Sequence, residues 1–149
     1  MGIVETDMAQ NKADEALKLL QSESDKAPGR IDLLLSLANV AVRAGKYDFA
    51  IQTYDRMLVL TDKSLKAGDI YMRIGETYRR KGDANNAIDV FKDLVAKEPH
   101  HATYRYHLAM AYSQKGDRTK AMEQLKEALK YSPKSDEKEK IQQLITKLG

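Results

Sequence analysis

A pattern of large and small residues recurs with a period of 34 residues in the second half of the sequence. Residues 68–101 hold two short apolar-periodic segments separated by Lys81-Gly82-Asp83, and residues 102–135 repeat this arrangement without a gap. Apolar residues that recur every three to four positions mark one face of a helix, so each period predicts two helices joined by a tight turn. A helical pair repeated at this length is typical of a solenoid, in which each pair packs on its neighbours.

The same turn recurs in an earlier, less regular repeat. Gly45, Gly82 and Gly116 fall in register, and we expect each to supply the left-handed residue that ends one helix before the next begins. The sequence therefore predicts a single domain over residues 1–149. Its predicted parts are a half-repeat (12–30), three repeats (31–67, 68–101 and 102–135) and a capping helix (136–148).

Three places in this scheme are irregular. The helix predicted over residues 12–24 has no first helix before it, so either the protein begins with a half-repeat or the sequence is part of a longer array. Leu65-Lys66-Ala67 precede the central repeat. They predict a backward extension of its first helix, with Thr61, Asp62 or Ser64 as N-cap, and a plain loop insertion is the alternative. Ser135-Asp136 are predicted to cap a last helix over 137–148, whose apolar stripe is Ile141, Leu144, Ile145 and Leu148.

The residues inside the period resemble a tetratricopeptide repeat (TPR). The central repeat supplies the large, small and aromatic positions of that pattern with Tyr71, Ile74-Gly75, Tyr78, Ala87, Phe91, Leu94 and Pro99. Two departures affect local packing: Arg105 stands where an aromatic is expected, between Tyr104 and Tyr106, and the first repeat lacks its closing proline. The resemblance implies an all-α fold, a right-handed α-solenoid of helix-turn-helix repeats with a C-terminal capping helix.

The resemblance also implies a protein-interaction scaffold or adaptor, which binds a peptide segment of a partner protein in a concave groove lined by the first helices. One row of each first helix is left once the core positions are removed, and we expect these rows to lie outside the core and to bind the partner. The predicted residues are Leu35, Asn39, Val42, Met72, Arg73, Glu76, Arg79, Tyr106, His107 and Met110. The alternative is a structural assembly unit that associates with itself, as a homo-oligomer, through an open end of the repeat stack.

Some TPR co-chaperones hold the C-terminal carboxylate of heat-shock chaperones with a clamp of Lys, Asn, Asn, Lys and Arg. The matching places here hold Leu35, Asn39, Arg73, Thr103 and His107. Asn39 alone agrees with the clamp, so the resemblance does not extend to that class of ligand.

Other functions find little support in the residues. There is no cysteine, no Gly-rich phosphate loop, no G-x-S-x-G and no H-E-x-x-H motif, so we expect neither an enzyme nor a cofactor. His101 and His107 are six positions apart, which does not place them on one helical face, so no metal site is predicted. The net charge of +3 and the presence of Met72 and Glu76 in the groove rows argue against nucleic-acid binding.

The N-terminus has no basic segment followed by an apolar one, so no signal peptide is predicted. No apolar run approaches the roughly 18 residues that a membrane span requires, and we expect no membrane insertion. A cytoplasmic location is the default expectation, compatible with a removed leader or a larger parent chain.

Overall fold

The computed structural model of the chain describes residues 3–60, 67–131 and 134–149, with side chains from residue 10 onward. All regular structure in these ranges is α-helical, in the order α1 (Ile3–Lys26), α2 (Ile31–Arg43), α3 (Tyr47–Leu60), α4 (Ala67–Lys81), α5 (Ala84–Lys97), α6 (Ala102–Lys115), α7 (Arg118–Lys130) and α8 (Ser135–Leu148). The chain divides into two compact units, residues 1–70 and 71–149. The single domain over residues 1–149, with its repeat boundaries, stays a prediction.

In the first unit, α2 packs against both α1 and α3. The inner face of α2 is fully buried and consists of Leu34, Leu37, Ala38 and Ala41. It meets the buried face of α3, formed by Ala50, Ile51, Thr53, Tyr54 and Met57. Both sets follow the helical spacing expected from the sequence, so burial of one apolar stripe on each helix accounts for this part of the fold.

In the second unit, α6 packs against α5, α7 and α8. The core holds large side chains where helices are separated and alanines where they approach closely. Its fully enclosed members include Phe91, Leu108, Leu125 and Ile141, with Ala87, Ala109, Ala121 and Ala128 between them. Leu144, Ile145 and Leu148 are partly buried and pack against this core, so the predicted apolar stripe of the last helix is confirmed.

The turns confirm the predicted role of glycine. Gly45, Gly82 and Gly116 have φ of 75°, 90° and 93°, in the left-handed region that favours glycine. Asp83 and Asp117 follow two of them and act as N-caps, since each carboxylate accepts a hydrogen bond from the backbone N–H three residues on, at 3.1 Å. At these two turns a glycine thus ends one helix and a carboxylate begins the next.

The predicted place of Tyr71 in the core is wrong. Its side chain is 36% exposed, whereas Ile70 is fully buried. The buried stripe of α4 runs through Ile70, Ile74 and Thr77, which have the i, i+4, i+7 spacing of one helical face. Tyr71 lies about 100° around the helix from Ile70 and carries the Lys97 ammonium 5.6 Å from its ring centroid.

The same stripe explains the departure at Arg105. In α6 the same i, i+4, i+7 stripe consists of the buried residues Tyr104, Leu108 and Ala111, so the buried aromatic lies one position before Arg105. Arg105 is half-buried and donates hydrogen bonds to the Pro99 carbonyl at 2.8 Å and to Gln124 Oε1 at 2.9 Å. An arginine is tolerated here because its guanidinium ties the α5–α6 loop to α7 at the margin of the core.

Several predicted boundaries differ from those of the structure. α1 starts at Ile3 rather than near residue 12 and ends at Lys26, two residues after the predicted end. α8 includes Ser135 and Asp136, and its N-cap is Lys134, which makes no side-chain capping bond; the predicted Ser135-Asp136 cap is therefore wrong. The proposed N-caps Thr61, Asp62 and Ser64, together with Leu65, Lys66 and Pro133, lie outside the described residues.

Across the described ranges, none of the helices has both the length and the apolar character required to cross a membrane.

Candidate functional site

Two of the predicted groove rows share one surface of the second unit. Glu76 on α4 lies 2.9 Å from His107 on α6, measured from Oε1 to Nδ1. Closer to the C-terminal ends of the two helices, Gln114 Nε2 donates to the Arg79 carbonyl oxygen at 2.8 Å. These two bonds fix α4 and α6 side by side. Met72, Glu76 and Arg79 therefore neighbour the row that contains Tyr106, His107 and Met110.

The centre of this surface is an ionic cluster of three side chains. The Arg79 guanidinium donates through Nε to Glu76 Oε1 at 3.2 Å and through Nη2 to Oε2 at 3.1 Å. An ionised carboxylate only accepts hydrogen bonds, so the His107 Nδ1–H is the donor toward Glu76. All three side chains are largely buried, with 26% of Glu76, 27% of Arg79 and 19% of His107 exposed. Glu76 is therefore neutralised within the protein.

The environment of Glu76 changes its acidity. Burial by itself raises the pKa of this carboxyl, but the hydrogen bonds from His107 and Arg79, together with their charges, outweigh burial and lower the pKa from 4.5 to about 2. The carboxylate is consequently ionised at any physiological pH. It holds Arg79 and His107 in place rather than offering a titrating group.

The His107 ring also has two aromatic neighbours. It stacks on Phe91 with a centroid separation of 5.5 Å, and Tyr106 lies edge-on to it at 5.7 Å. Phe91 belongs to the core, so the imidazole connects the ionic cluster to the packed interior. Among the described residues no group of three potential metal-ligating side chains occurs, and the geometry assigns His107 a positioning role.

The apolar residues of the surface are less separate from the core than expected. Met72 and Tyr106 lie outside the buried core of the second unit but are partly buried and pack against it. Each therefore both stabilises the unit and exposes part of its side chain. Met110 is half-buried, and Arg73 is exposed.

The predicted partner-binding residues include none from α8, although α8 extends this surface. Thr103 Oγ1 on α6 donates to Glu137 Oε1 on α8 at 2.6 Å, and the two helices pack directly. The two residues are 34 positions apart, one repeat period. Lys140 and Leu144 have the same offset from Tyr106 and Met110, so continuing the period into the last helix would have found them. We call the combined surface of α4, α6 and α8, defined by Met72, Arg73, Glu76, Arg79, Tyr106, His107, Met110, Lys140 and Leu144, the three-helix face.

The remaining predicted residues lie in the first unit. Leu35, Asn39 and Val42 are half-buried on α2 and follow the i, i+4, i+7 spacing of one helical face. Their membership of a partner-binding surface stays a prediction.

Helix pairs of this length, joined by glycine turns and packed on their neighbours, define the α-solenoid class of helical-repeat proteins. Within that class, the tetratricopeptide repeat family model matches residues 7–67 and 78–148. Because these matches cover most of the sequence, the chain belongs to the tetratricopeptide repeat family. The repeats of this family support a protein-interaction scaffold.

Solved structures show the same fold. MamA residues 41 to the end, from Desulfovibrio magneticus RS-1, has a TM-score of 0.63 at 19% identity, covering 99% of this chain and 94% of that chain. Another crystal structure of MamA has a TM-score of 0.63 at 22% identity, covering 89% and 76%. A putative kinesin light chain from Podosopora anserina with nearly identical TPR-like repeats has a TM-score of 0.68 at 20% identity, covering 81% and 67%. A comparison with curated protein sequences found no match.

Proposed function

We propose that this protein is a non-catalytic scaffold or adaptor whose three-helix face binds a peptide segment of a partner protein. The observation that carries the proposal is the largely buried ionic cluster of Glu76, Arg79 and His107 on the same surface as Met72 and Tyr106. A buried carboxylate on a contact surface would normally repel an acidic ligand and cost desolvation energy. Here it is neutralised internally, so the surface presents apolar and cationic groups.

The chemistry of the face favours an acidic segment with an apolar anchor. Tyr106 and Met110 are amphipathic or adaptable side chains, the kinds that suit binding surfaces. Arg73 and Lys140 are exposed and add positive charge at either side of the apolar residues. Apolar contact would supply affinity, while the cations would orient the ligand and speed its encounter. Leu35, Asn39 and Val42 of the first unit stay proposed partner-binding residues.

The proposal is tested by finding the ligand and then removing its anchor. Partners captured from lysate of the source organism are displayed as overlapping peptides, and binding peptides are measured by fluorescence anisotropy. Tyr106→Ala is expected to weaken a bound peptide by about 1–3 kcal/mol, as for an interface anchor. Leu129→Ala is the matched control, because Leu129 also packs partly against the same core but lies on α7, away from the face. Unaltered peptide binding by a folded Tyr106→Ala, Met72→Ala double variant would contradict the proposal.

A second candidate, self-association, is favoured by one observation in the first unit. Ala16 and Leu20 are only half-buried, whereas the residues at the same repeat positions, such as Ala50 and Tyr54, are 0% and 2% exposed. Leu19 beside them is 65% exposed. Sedimentation of the full chain over a concentration series tests this candidate. A strictly monomeric chain at high concentration would eliminate it.

A further inference from the structure

A groove with a volume of about 660 Å³ lies in the first unit, between α1 and the start of α3. Leu17 and Phe49 supply apolar surface, and Leu17 is 8% exposed. Three lysines and one aspartate contribute charged groups to the lining: Lys18, Lys26, Lys46 and Asp25. This α1–α3 groove contains none of the residues of the three-helix face.

Lys46 occupies the position at which the next two repeats have a helix-capping aspartate. The equivalent places in the next two repeats hold Asp83 and Asp117, whose carboxylates cap α5 and α7. Lysine has no acceptor and cannot cap a helix in this way. Its ammonium instead lies 3.2 Å from Asp14 on α1. The first repeat therefore has no capping carboxylate at this position, where it places a cation in the groove.

Two further residues of the groove lining also differ from their equivalents in the later repeats. Phe49 is half-buried in the groove lining, where the following repeats hold Asn86 and Lys120. Lys18 takes the place of Gln52 in the first repeat and of two acidic residues, Asp89 and Glu123, in the later repeats. One apolar and two cationic substitutions thus converge on a single groove. Several departures from the repeat pattern around one concave surface indicate a functional site more strongly than a single departure does.

We propose that the α1–α3 groove is a second docking site, which binds an acidic segment of a partner protein through one large apolar side chain. Together with Asp14, which pairs with Lys46, the groove holds three ammonium groups and two carboxylates, and the remaining excess of positive charge complements an acidic ligand. Asp14 offsets Lys46, and Lys18 and Lys26 provide the remaining cationic contacts. The apolar side chain of the ligand would contact Leu17 and Phe49.

A peptide segment suits the shape of this groove better than a small molecule. The groove is bounded by one helix along its length and by the start of a second helix, and it is open to solvent. Small-molecule sites bury most of their ligand in a closed pocket, whereas an extended or helical segment can lay one side chain into an open groove. The site would therefore add a second contact to a scaffold, independent of whether the three-helix face binds.

The test uses the isotope-labelled full chain and a defined probe. The probe is a short synthetic peptide with one central phenylalanine flanked by glutamates, and it is titrated while backbone amide resonances are recorded. Saturable shifts are expected at residues 17–26 and 46–49. Two control peptides, one with lysines in place of the glutamates and one with glycine in place of the phenylalanine, should each bind at least about tenfold more weakly, because each lacks one of the two complementary features.

Two variants separate binding from folding. Lys46→Asp introduces the capping residue found in the later repeats but removes the ion pair with Asp14, so it is expected to leave the helicity unchanged while weakening the peptide about tenfold. Phe49→Asn introduces the residue found at position 86 and should also weaken the peptide, with only a small change in helicity. Lys126→Asp, at an exposed position of α7, is the control for general charge effects and should weaken the peptide much less.

Three results would overturn the proposal. The first is a titration in which the resonances of residues 17–26 and 46–49 do not move. The second is equal binding of the acidic and the lysine-flanked peptides, and the third is unchanged binding by Lys46→Asp. Decanoate, a small anionic amphiphile, is titrated in parallel, and saturation of the same resonances by decanoate alone would replace the peptide with a small-molecule ligand. A failed test of the three-helix face leaves these outcomes unaffected, because the two sites share no residue.

Discussion

The phenyl ring of Phe91 lies directly against Gly75, so that a β-carbon at residue 75 would be 2.6 Å from Cζ of the ring. Phe91 is completely buried, and its ring also stacks on the imidazole of His107, with 5.5 Å between the centroids. The missing side chain at residue 75 therefore lets α4 and α5 approach closely. It also sets the depth of the ring on which His107 rests, and so connects core packing to the three-helix face.

Gly75→Ala is expected to destabilise the protein. Alanine would gain up to about 1 kcal/mol of helix propensity over glycine, but displacing an enclosed ring costs about 1–3 kcal/mol. A net loss of about 1 kcal/mol in the free energy of unfolding should be measurable by urea denaturation. Gly29→Ala is the control, because no atom lies within 4 Å of a β-carbon there. A Gly75→Ala protein as stable as the original would mean that Phe91 can move freely.

The low pKa of Glu76 predicts that the folded protein loses free energy of unfolding in acid. Its pKa in the folded protein, about 2, is below the ordinary value of 4.5, so the folded state favours the ionised form. The resulting stabilisation is complete above pH 4.5 and is lost as the pH falls toward 2. Glu76→Gln should remove this dependence, which amounts to about 1–3 kcal/mol.

The measurement is the free energy of unfolding by denaturant at several pH values between the two pKa values. Wild-type stability should fall more steeply than that of Glu76→Gln over this window. Glu139→Gln, which removes an exposed carboxylate on α8, serves as the control and should keep the steep fall. Parallel curves for wild type and Glu76→Gln would show that the cluster does not hold the carboxylate in its ionised form.

The final helix is expected to be an integral part of the second unit. Ile141 is 1% exposed, and Ile→Ala at a buried site costs about 2–5 kcal/mol. Thermal unfolding of Ile141→Ala should show a correspondingly large decrease in melting temperature, while Gln142→Ala, at the exposed neighbouring position, should change it little.

Deleting residues 136–149 should cost several kcal/mol of stability, since it removes the whole apolar stripe at about 1.5–3 kcal/mol for each fully buried aliphatic side chain. A truncated chain that melts within a couple of degrees of the full one would show that α8 contributes little to the stability of the second unit.

The Asp117 cap should be worth a measurable part of the stability of α7. Its carboxylate accepts from the Lys120 N–H at 3.1 Å, and replacing an aspartate cap with alanine typically costs about 0.5–2 kcal/mol. Chemical denaturation of Asp117→Ala should show this loss. Asp93→Ala, at an exposed position in the middle of α5, removes the same charge without removing a cap and should have a smaller effect.

Most of the fold follows from local patterns in the sequence. The bounds of α3 and the three glycine turns are predictable because the apolar period and the left-handed residues are local signals. The exposure of Tyr71 is not predictable, because the repeat pattern gives the position of an aromatic residue but does not determine whether that residue or its neighbour faces the core. Ile70 and Tyr104 occupy the buried position instead, and recognising this requires the packed helices.

The candidate site is predictable in part. The rows of α4 and α6 share a surface, as their equal spacing indicates, but the pairing of Glu76 with His107 joins residues 31 positions apart and depends on how the two helices pack. The contribution of α8 could have been predicted from the sequence, since Thr103 and Glu137 are one period apart. It was missed because the last helix was interpreted only as a cap. Charge alone could not reveal that Glu76 is neutralised.

Gly116 ends α6 with φ of 93°, yet no atom lies within 4 Å of a β-carbon built on it. What excludes a side chain there is the sign of the backbone torsion and not a lack of space. The constraint is therefore one of handedness: an L-residue is strained at this position, whereas its mirror image prefers this half of the φ range. A semisynthetic chain with D-alanine at residue 116 should fold normally and gain stability, because the D-residue has fewer conformations than glycine in the unfolded chain.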